Sequence, residues 1–190
     1  MSTELLRLSG VHAWYGESHI LHGIDLTVNK GEVVTLLGRN GSGRTTTLKS
    51  IMGLVGRRSG SIMINGTEAV GLPPHRIAHL GLGYCPEERG IFTSLSCEEN
   101  LMLPPPVASG GMGLDEISEG LAPVIVQALG RAIRTLREKG LTVLMVEQNF
   151  RFAAPLADRF YVIEHGQVIE SFGAAELQAK QGMLHEVLGV

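Results

Sequence analysis

The chain has 190 residues, 44% hydrophobic and 18% charged, with a formal net charge of -3. That length can bury one good core, and the slightly acidic balance leaves no basic footprint for nucleic acid. Cys85 and Cys97 lie far apart without C-x-x-C spacing, so neither a disulfide framework nor a zinc site of protein ligands alone is expected. No N-terminal leader is legible, and no apolar run approaches the roughly 18 residues that span a bilayer. The expectation is one domain over residues 1–190 in the cytoplasm.

Residues 4–12 alternate imperfectly as a strand, and residues 20–28 alternate again before the turn Asn29-Lys30-Gly31. Two antiparallel strands therefore open the chain. Between them Trp14-Tyr15-Gly16 places aromatic rings in a loop, where a ring can stack on a base or cap the core edge. The apolar run Glu32-Val33-Val34-Thr35-Leu36-Leu37 then leads into Gly38-Arg39-Asn40-Gly41-Ser42-Gly43-Arg44-Thr45-Thr46, and a helical pattern follows over residues 46–53. Strand, glycine loop and helix in that order are the context of a phosphate-binding loop. The glycines let successive N–H groups turn inward, and the free helix N-terminus adds partial positive charge at the same place. A polyphosphate is the natural occupant. The spacing G-x-x-x-x-G-K-[ST] is met at Gly38, Gly43 and Thr45, with Arg44 where the motif has lysine. Arginine keeps the charge but carries it on a bulkier planar fork.

Residues 61–64 read as a strand entering the turn Asn65-Gly66, residues 73–80 as a short helix with proline in its first turn, and residues 83–87 as a strand ending at a loop. Ser96-Cys97-Glu98-Glu99 fits the S-x-x-E capping box, so a helix begins there. At Pro104-Pro105-Pro106 the pattern stops, and residues 107–113 are small and glycine-rich, excluded from helix and poor as strand. A clear helix follows Pro123, with Ile125, Leu129, Ile133 and Leu136 at helical spacing and Gly140 closing it. Residues 141–146 form a nearly continuous apolar run, as in a parallel strand covered on both faces. A short helix over 150–157, a hairpin turning at His165-Gly166, and an amphipathic helix over 174–188 that buries Leu177, Met183, Leu184 and Leu188 complete the chain.

Several short motifs now stand in a fixed order: Tyr15-Gly16, residues 38–46, Pro86-Glu87-Glu88-Arg89 leading to Glu98-Glu99-Asn100-Leu101, Asp115-Glu116, residues 118–123, and Val146-Glu147-Gln148-Asn149. With them the chain resembles the nucleotide-binding subunit of an ABC transporter, most closely an ATPase subunit of a branched-chain amino acid importer, with urea or amide importers second. The last motif carries the finer likeness, because most ABC ATPases have histidine where this chain has Gln148. The resemblance implies an α/β fold: a P-loop NTPase (RecA-like) core with a mainly parallel sheet plus an N-terminal antiparallel β portion. It also implies ATP and Mg²⁺ as ligands. Tyr15 would stack on adenine, and Gly38, Asn40, Gly41, Ser42, Gly43, Arg44, Thr45 and Thr46 would hold the phosphates. Thr45, Asp115 and Glu87 would serve the metal, Glu87 standing where the family usually has glutamine. Glu116 would orient or deprotonate the attacking water, and Gln148 would reach the γ-phosphate. The implied partners are integral-membrane permease subunits, a second ATPase subunit and, indirectly, a periplasmic or extracellular binding protein, at the inner face of the cell membrane.

One departure from the family is large. The helical subdomain and the Leu-Ser-Gly-Gly-type signature that normally lie between the Glu87 loop and the acidic pair are absent, so the chain is expected to be shortened between about residues 103 and 115. The apolar strand that should end at Asp115, normally central and next to the phosphate-loop strand, is expected to be lost with them. Leu114-Asp115-Glu116-Ile117 then has two readings: the end of the metal-side strand, or a remnant of the segment before the lost region. Two functions stay open, an ATP-hydrolysing importer subunit and a nucleotide-binding remnant or interaction module without turnover. An unrelated P-loop kinase or GTPase is disfavoured, since no guanine-reading Asn-Lys-x-Asp occurs.

Overall fold

The computed structural model describes residues 4–85, 96, 99, 111–118 and 123–189. Strands β1 (Glu4–Tyr15) and β2 (Ser18–Asn29) pair antiparallel, and β4 (Arg57–Ile64) and the two-residue β5 (Thr67–Glu68) extend them into a four-stranded antiparallel sheet in the order β2-β1-β4-β5. The second sheet has six strands: β3 (Val33–Leu37), β6 (Leu82–Cys85), β7 (Gly111–Asp115), β8 (Thr142–Glu147), β9 (Arg159–Glu164) and β10 (Gln167–Gly173). Their order is β10-β9-β3-β8-β7-β6, parallel throughout except for the edge hairpin β9–β10. The helices with described bounds are α1 (Arg44–Ile51), α2 (Pro74–His79), α3 (Pro123–Glu138), α4 (Phe150–Ala153) and α5 (Leu177–Leu188), the last entered through a single 3-10 turn at Ala174–Glu176.

β3 shows how the sequence builds two cores at once. All five of its residues are buried, as expected of a parallel strand covered on both faces. With side chains alternating along the strand, Val34 and Leu36 join a cluster with Leu21, Ile24 and Leu48 toward the antiparallel sheet and α1. Val33 and Leu37 enter the opposite cluster with Ile133, Leu136, Phe160, Leu184 and Leu188. Leu177 and Met183 of α5 pack against that second cluster only in part.

β7 differs from the sequence expectation. Gly111–Asp115 is a strand, hydrogen-bonded in parallel register to β6 on one side and β8 on the other. Its backbone pairing is thus met on both sides despite the poor strand propensity of its glycines, an override of local preference by the neighbouring strands. It is also not beside the phosphate-loop strand: β8 lies between β3 and β7. The shortage of side chains survives as a small apolar void of about 20 Å³, lined by Gly111, Met112 and Gly113 and by Leu5, Leu48 and Leu144 among others.

Local signals account for most boundaries. The β9–β10 turn has φ of 47° at His165 and 73° at Gly166, the pair of positive values that a two-residue hairpin needs. The reciprocal capping-box bonds exist: Ser96 N–H donates to Glu99 Oε2 at 2.7 Å and Glu99 N–H to Ser96 Oγ at 3.2 Å. α1 begins at Arg44, two residues before the expected start, because Gly43 with φ of 108° breaks the loop into the helix. α4 is shorter than the expected 150–157, giving way to turns after Ala153.

Candidate functional site

The phosphate-binding loop runs from the C-terminal end of β3 to the first turn of α1, where the N–H groups lack intrahelical partners. Ser42 N–H donates to Arg39 C=O at 3.0 Å and Thr47 N–H to Gly43 C=O at 2.8 Å, so the loop is closed by its own backbone. Gly41 and Gly43 both have positive φ, and a Cβ on Gly38 would collide with the Ile163 carbonyl and the Ser42 hydroxyl. Beside this loop opens a cleft of about 420 Å³, lined by Tyr15 and Ile20 from the first hairpin, Asn40, Gly41, Ser42, Gly43, Arg44, Thr45 and Thr46 from the loop and helix, and Glu116 from the end of β7. Tyr15 is 47% exposed at its wall.

Asp115 closes β7 fully buried. Thr45 Oγ1 donates to its Oδ1 at 3.1 Å, and Tyr84 of β6 donates to its Oδ2 at 3.1 Å. The placement of Asp115 at the C-terminal end of a parallel strand, against α1, supports the first of the two readings of the tetrapeptide. The next residue, Glu116, takes a left-handed conformation with φ of 46°, and its N–H donates to Val146 C=O at 2.9 Å. A non-glycine residue held there costs on the order of 1–3 kcal/mol, a strain concentrated at functional sites.

Arg44 occupies the lysine position of the loop with 3% of its side chain exposed. One guanidinium nitrogen, Nη2, donates to Glu116 Oε1 at 2.5 Å and to Asn40 Oδ1 at 3.1 Å. The other, Nη1, is buried with no hydrogen-bond partner, as is Ser42 Oγ. A buried guanidinium nitrogen left unpaired is costly, and an anionic oxygen in the cleft would satisfy it. The donor set therefore fits a polyphosphate: the Arg44 cation, the glycine loop and the helix N-terminus line the same cleft as the Tyr15 ring.

For a divalent cation the fit is of a particular kind. Among the described residues no group of three His, Cys, Asp or Glu side chains could hold a metal. Thr45 and Asp115 offer adjacent oxygens, which suits Mg²⁺ completed by phosphate oxygens and water rather than a protein cage. Glu87, the third residue expected on the metal side, lies outside the described residues. Gln148 is half-buried directly after β8 and does not line the cleft, nor do Gly38 and Asp115.

Sequence reasoning passed over four features. Tyr84 was read only as part of a strand, but β6 pairs with β7 and brings its hydroxyl to Asp115. Asn40 does more than fill a loop position, since its side chain braces Arg44. Ser118 donates through its N–H at 3.2 Å and its hydroxyl at 2.8 Å to Glu147, whose buried carboxylate closes β8. The fourth is the ring cluster of the first hairpin, His12, Trp14, His19 and His22. Alternation puts His12 and Trp14 on one face of β1, but His19 and His22 are three apart in β2 and join them only through the register shift between Ala13 and Trp14, which spacing alone does not reveal.

The ABC transporter family model matches residues 21–167. The chain is 34% identical to the high-affinity branched-chain amino acid transport ATP-binding protein BraG of Pseudomonas aeruginosa, over 91% of this chain and 95% of that protein. It is 30% identical to the probable branched-chain amino acid transport ATP-binding protein LivF of Archaeoglobus fulgidus, and 29% identical to the lipopolysaccharide export system ATP-binding protein LptB of Escherichia coli. The BraG match spans 221 positions, more than the 190 residues of this chain, so BraG carries internal residues with no counterpart here. In fold the chain is similar to the ADP conformation of an ATP-binding cassette of an ABC transporter, with a TM-score of 0.82 at 18% identity over 98% of this chain and 99% of that one. The chain thus belongs to the ABC transporter ATP-binding family, whose members hydrolyse ATP.

Proposed function

We infer that this chain is the ATP-binding subunit of an importer that couples ATP hydrolysis to uptake of branched-chain amino acids. Integral-membrane permease subunits and a second ATPase subunit are its partners at the inner face of the cell membrane, with a periplasmic or extracellular binding protein acting indirectly. Among the described residues no helix is long and apolar enough to cross a membrane, so the membrane-spanning work falls to other chains in this reading. The substrate rests on the relatives: 34% identity to BraG and 30% to LivF against 29% to LptB.

The observation that carries the nucleotide reading is the unpaired Arg44 Nη1 beside the glycine loop in a cleft walled by Tyr15. In this reading Tyr15 stacks on adenine, the amides of residues 41–46 with Arg44 take the phosphates, and Thr45 and Asp115 take Mg²⁺. Bound Mg²⁺ supplies charge neutralisation on the phosphate oxygens. Gln148, which does not line the cleft here, would have to move toward it to serve as a neutral donor to the terminal phosphate. Arg44 has two claims on it, the Glu116 carboxylate and the terminal phosphate. When the guanidinium turns to the phosphate, the Glu116 carboxylate gives up its contact with Arg44 and becomes a better acceptor for a proton from water.

A second reading, a nucleotide-binding remnant without turnover, has one observation in its favour: the internal residues of BraG that this chain lacks. Both readings require binding. Calorimetry should find MgATP binding to the chain and a loss of about tenfold to a hundredfold in Arg44→Ala, since a charge-assisted phosphate contact contributes about 1.5–3 kcal/mol. Equal affinities would contradict the role given to Arg44.

A further inference from the structure

The tip of the first hairpin carries an aromatic cluster that the nucleotide site does not use directly. Trp14 and His19 are directly opposed across β1 and β2, and their rings stack at 4.4 Å and 12°. His12 Nδ1 and His19 Nε2 are 3.0 Å apart, His22 lies 4.1 Å from the His19 ring centre, and the Arg57 guanidinium of β4 sits 4.6 Å from the centre of the Trp14 ring. The two residues of this hairpin that line the cleft, Tyr15 and Ile20, directly follow Trp14 and His19 in the chain. Tyr15 and Ile20 are chain neighbours of the pair where the register shifts between Ala13 and Trp14, so whatever fixes the Trp14–His19 pair fixes the backbone from which Tyr15 and Ile20 project.

The hairpin is also braced to the phosphate loop. His22 N–H donates to Gly166 C=O at 2.8 Å, and Gly166 N–H donates to Ser42 C=O at 2.8 Å. The cluster, the β9–β10 turn and the phosphate loop thus form one connected backbone path.

We propose that His19, with His12 and Trp14, is a positioning residue for the base-binding wall of the cleft, holding Tyr15 in place only while the His12–His19 hydrogen bond carries a single proton. A bond between two imidazole nitrogens needs one donor and one acceptor, and protonating both rings replaces it with repulsion. The charged and titratable groups acting on His19 are His22 from β2, His12 from β1 and Arg57 from β4. All are cationic when charged. The turn packed against His22 carries Glu164 and the exposed His165. Desolvation, then His22 and His12, and finally Arg57 hold His19 below the ordinary histidine value of 6.5, against a backbone hydrogen bond with Leu21 that raises it. A loosened hairpin therefore binds the proton better than the ordered one. Its order is complete above pH 6.5 and is lost as pH falls through the lowered value of His19.

This inference rests on the nucleotide reading, and its test separates the two. Trp14 is the only tryptophan, so its emission reports the stack. The full chain is titrated between about pH 7.5 and pH 5.5, the range in which histidine changes charge, with Trp14 fluorescence and the affinities for MgATP and for magnesium tripolyphosphate measured at each pH. The expected result is quenching on acidification, with the ratio of MgATP to tripolyphosphate affinity falling by roughly threefold to tenfold over the same interval. His19→Gln, which cannot titrate, should flatten the ratio. The wild-type titrations decide the matter even if that variant fails to fold. A flat ratio while the fluorescence titrates, or a pH dependence retained in His19→Gln, would overturn the proposal. Failure of both ligands to bind at every pH would overturn the nucleotide reading, and the proposal with it.

Discussion

Arg44 and Glu116 meet at 2.5 Å with 3% and 6% of their side chains exposed, a buried ion pair between the phosphate loop and the residue that follows β7. Removing one member of such a pair strips the other buried charge of this contact, typically at about 3–5 kcal/mol, while replacing both costs far less. Arg44→Ala should therefore destabilise the chain more than the double variant Arg44→Ala with Glu116→Ala. Urea denaturation of the wild type, both single variants and the double variant checks it. A coupling free energy near zero would mean that the pair adds nothing to the fold.

Gly166 is expected to be intolerant of any side chain. Its φ of 73° is left-handed, and a Cβ there would drive into the Ile20 carbonyl and the His22 ring. Either adjustment strains the path from His22 through Gly166 to Ser42. Gly166→Ala should cost roughly 2–3 kcal/mol of stability and weaken MgATP binding as well. Unchanged thermal unfolding would show that the turn accommodates the methyl group.

Gly113 in β7 should behave in the opposite way. A Cβ there meets the Leu48 Cδ2 methyl at 3.2 Å, the Tyr84 ring at 3.6 Å and the Gly83 carbonyl at 3.9 Å, and both Gly113 and Leu48 border the small apolar void. The Leu48 methyl has room to give. Gly113→Ala should stabilise by about 0.4–1 kcal/mol through the unfolded chain's lost freedom. A clear loss of stability by chemical denaturation would show that the void is not available to Leu48.

How much of this was legible in the sequence depends on whether the signal is local. The phosphate loop, the β9–β10 turn and α3 each follow from residues adjacent in the chain: glycines at fixed spacing, His165-Gly166, and apolar residues every third or fourth position. β7 was not legible, because Gly111 and Gly113 read as loop and only the edges offered by β6 and β8 make them strand. The same limit explains Arg44. Its position predicts a phosphate ligand, but residues 44 and 116 are 72 apart in the chain, and only the fold brings the guanidinium to the Glu116 carboxylate. Tyr84 on Asp115 and Ser118 on Glu147 are likewise contacts between neighbouring strand ends, invisible to spacing along one segment.

We propose that this chain, an ATPase subunit by family, has a nucleotide cleft of its own but depends on a partner subunit to complete hydrolysis. In the family that the sequence resembles, a signature motif from the facing subunit clamps the terminal phosphate, and this chain has no such motif to offer a second copy of itself. Losing one set of pre-organised donors typically costs about 3–4 kcal/mol, on the order of a hundredfold to a thousandfold in rate. The direct measurement is phosphate release from MgATP by the isolated chain, by its mixture with an intact partner ATPase subunit, and by the same pair of samples carrying Glu116→Gln. The account predicts release barely above background from the chain alone, a rise on mixing limited to one site, and loss of that rise with Glu116→Gln. Robust release from the isolated chain that Glu116→Gln abolishes would contradict it.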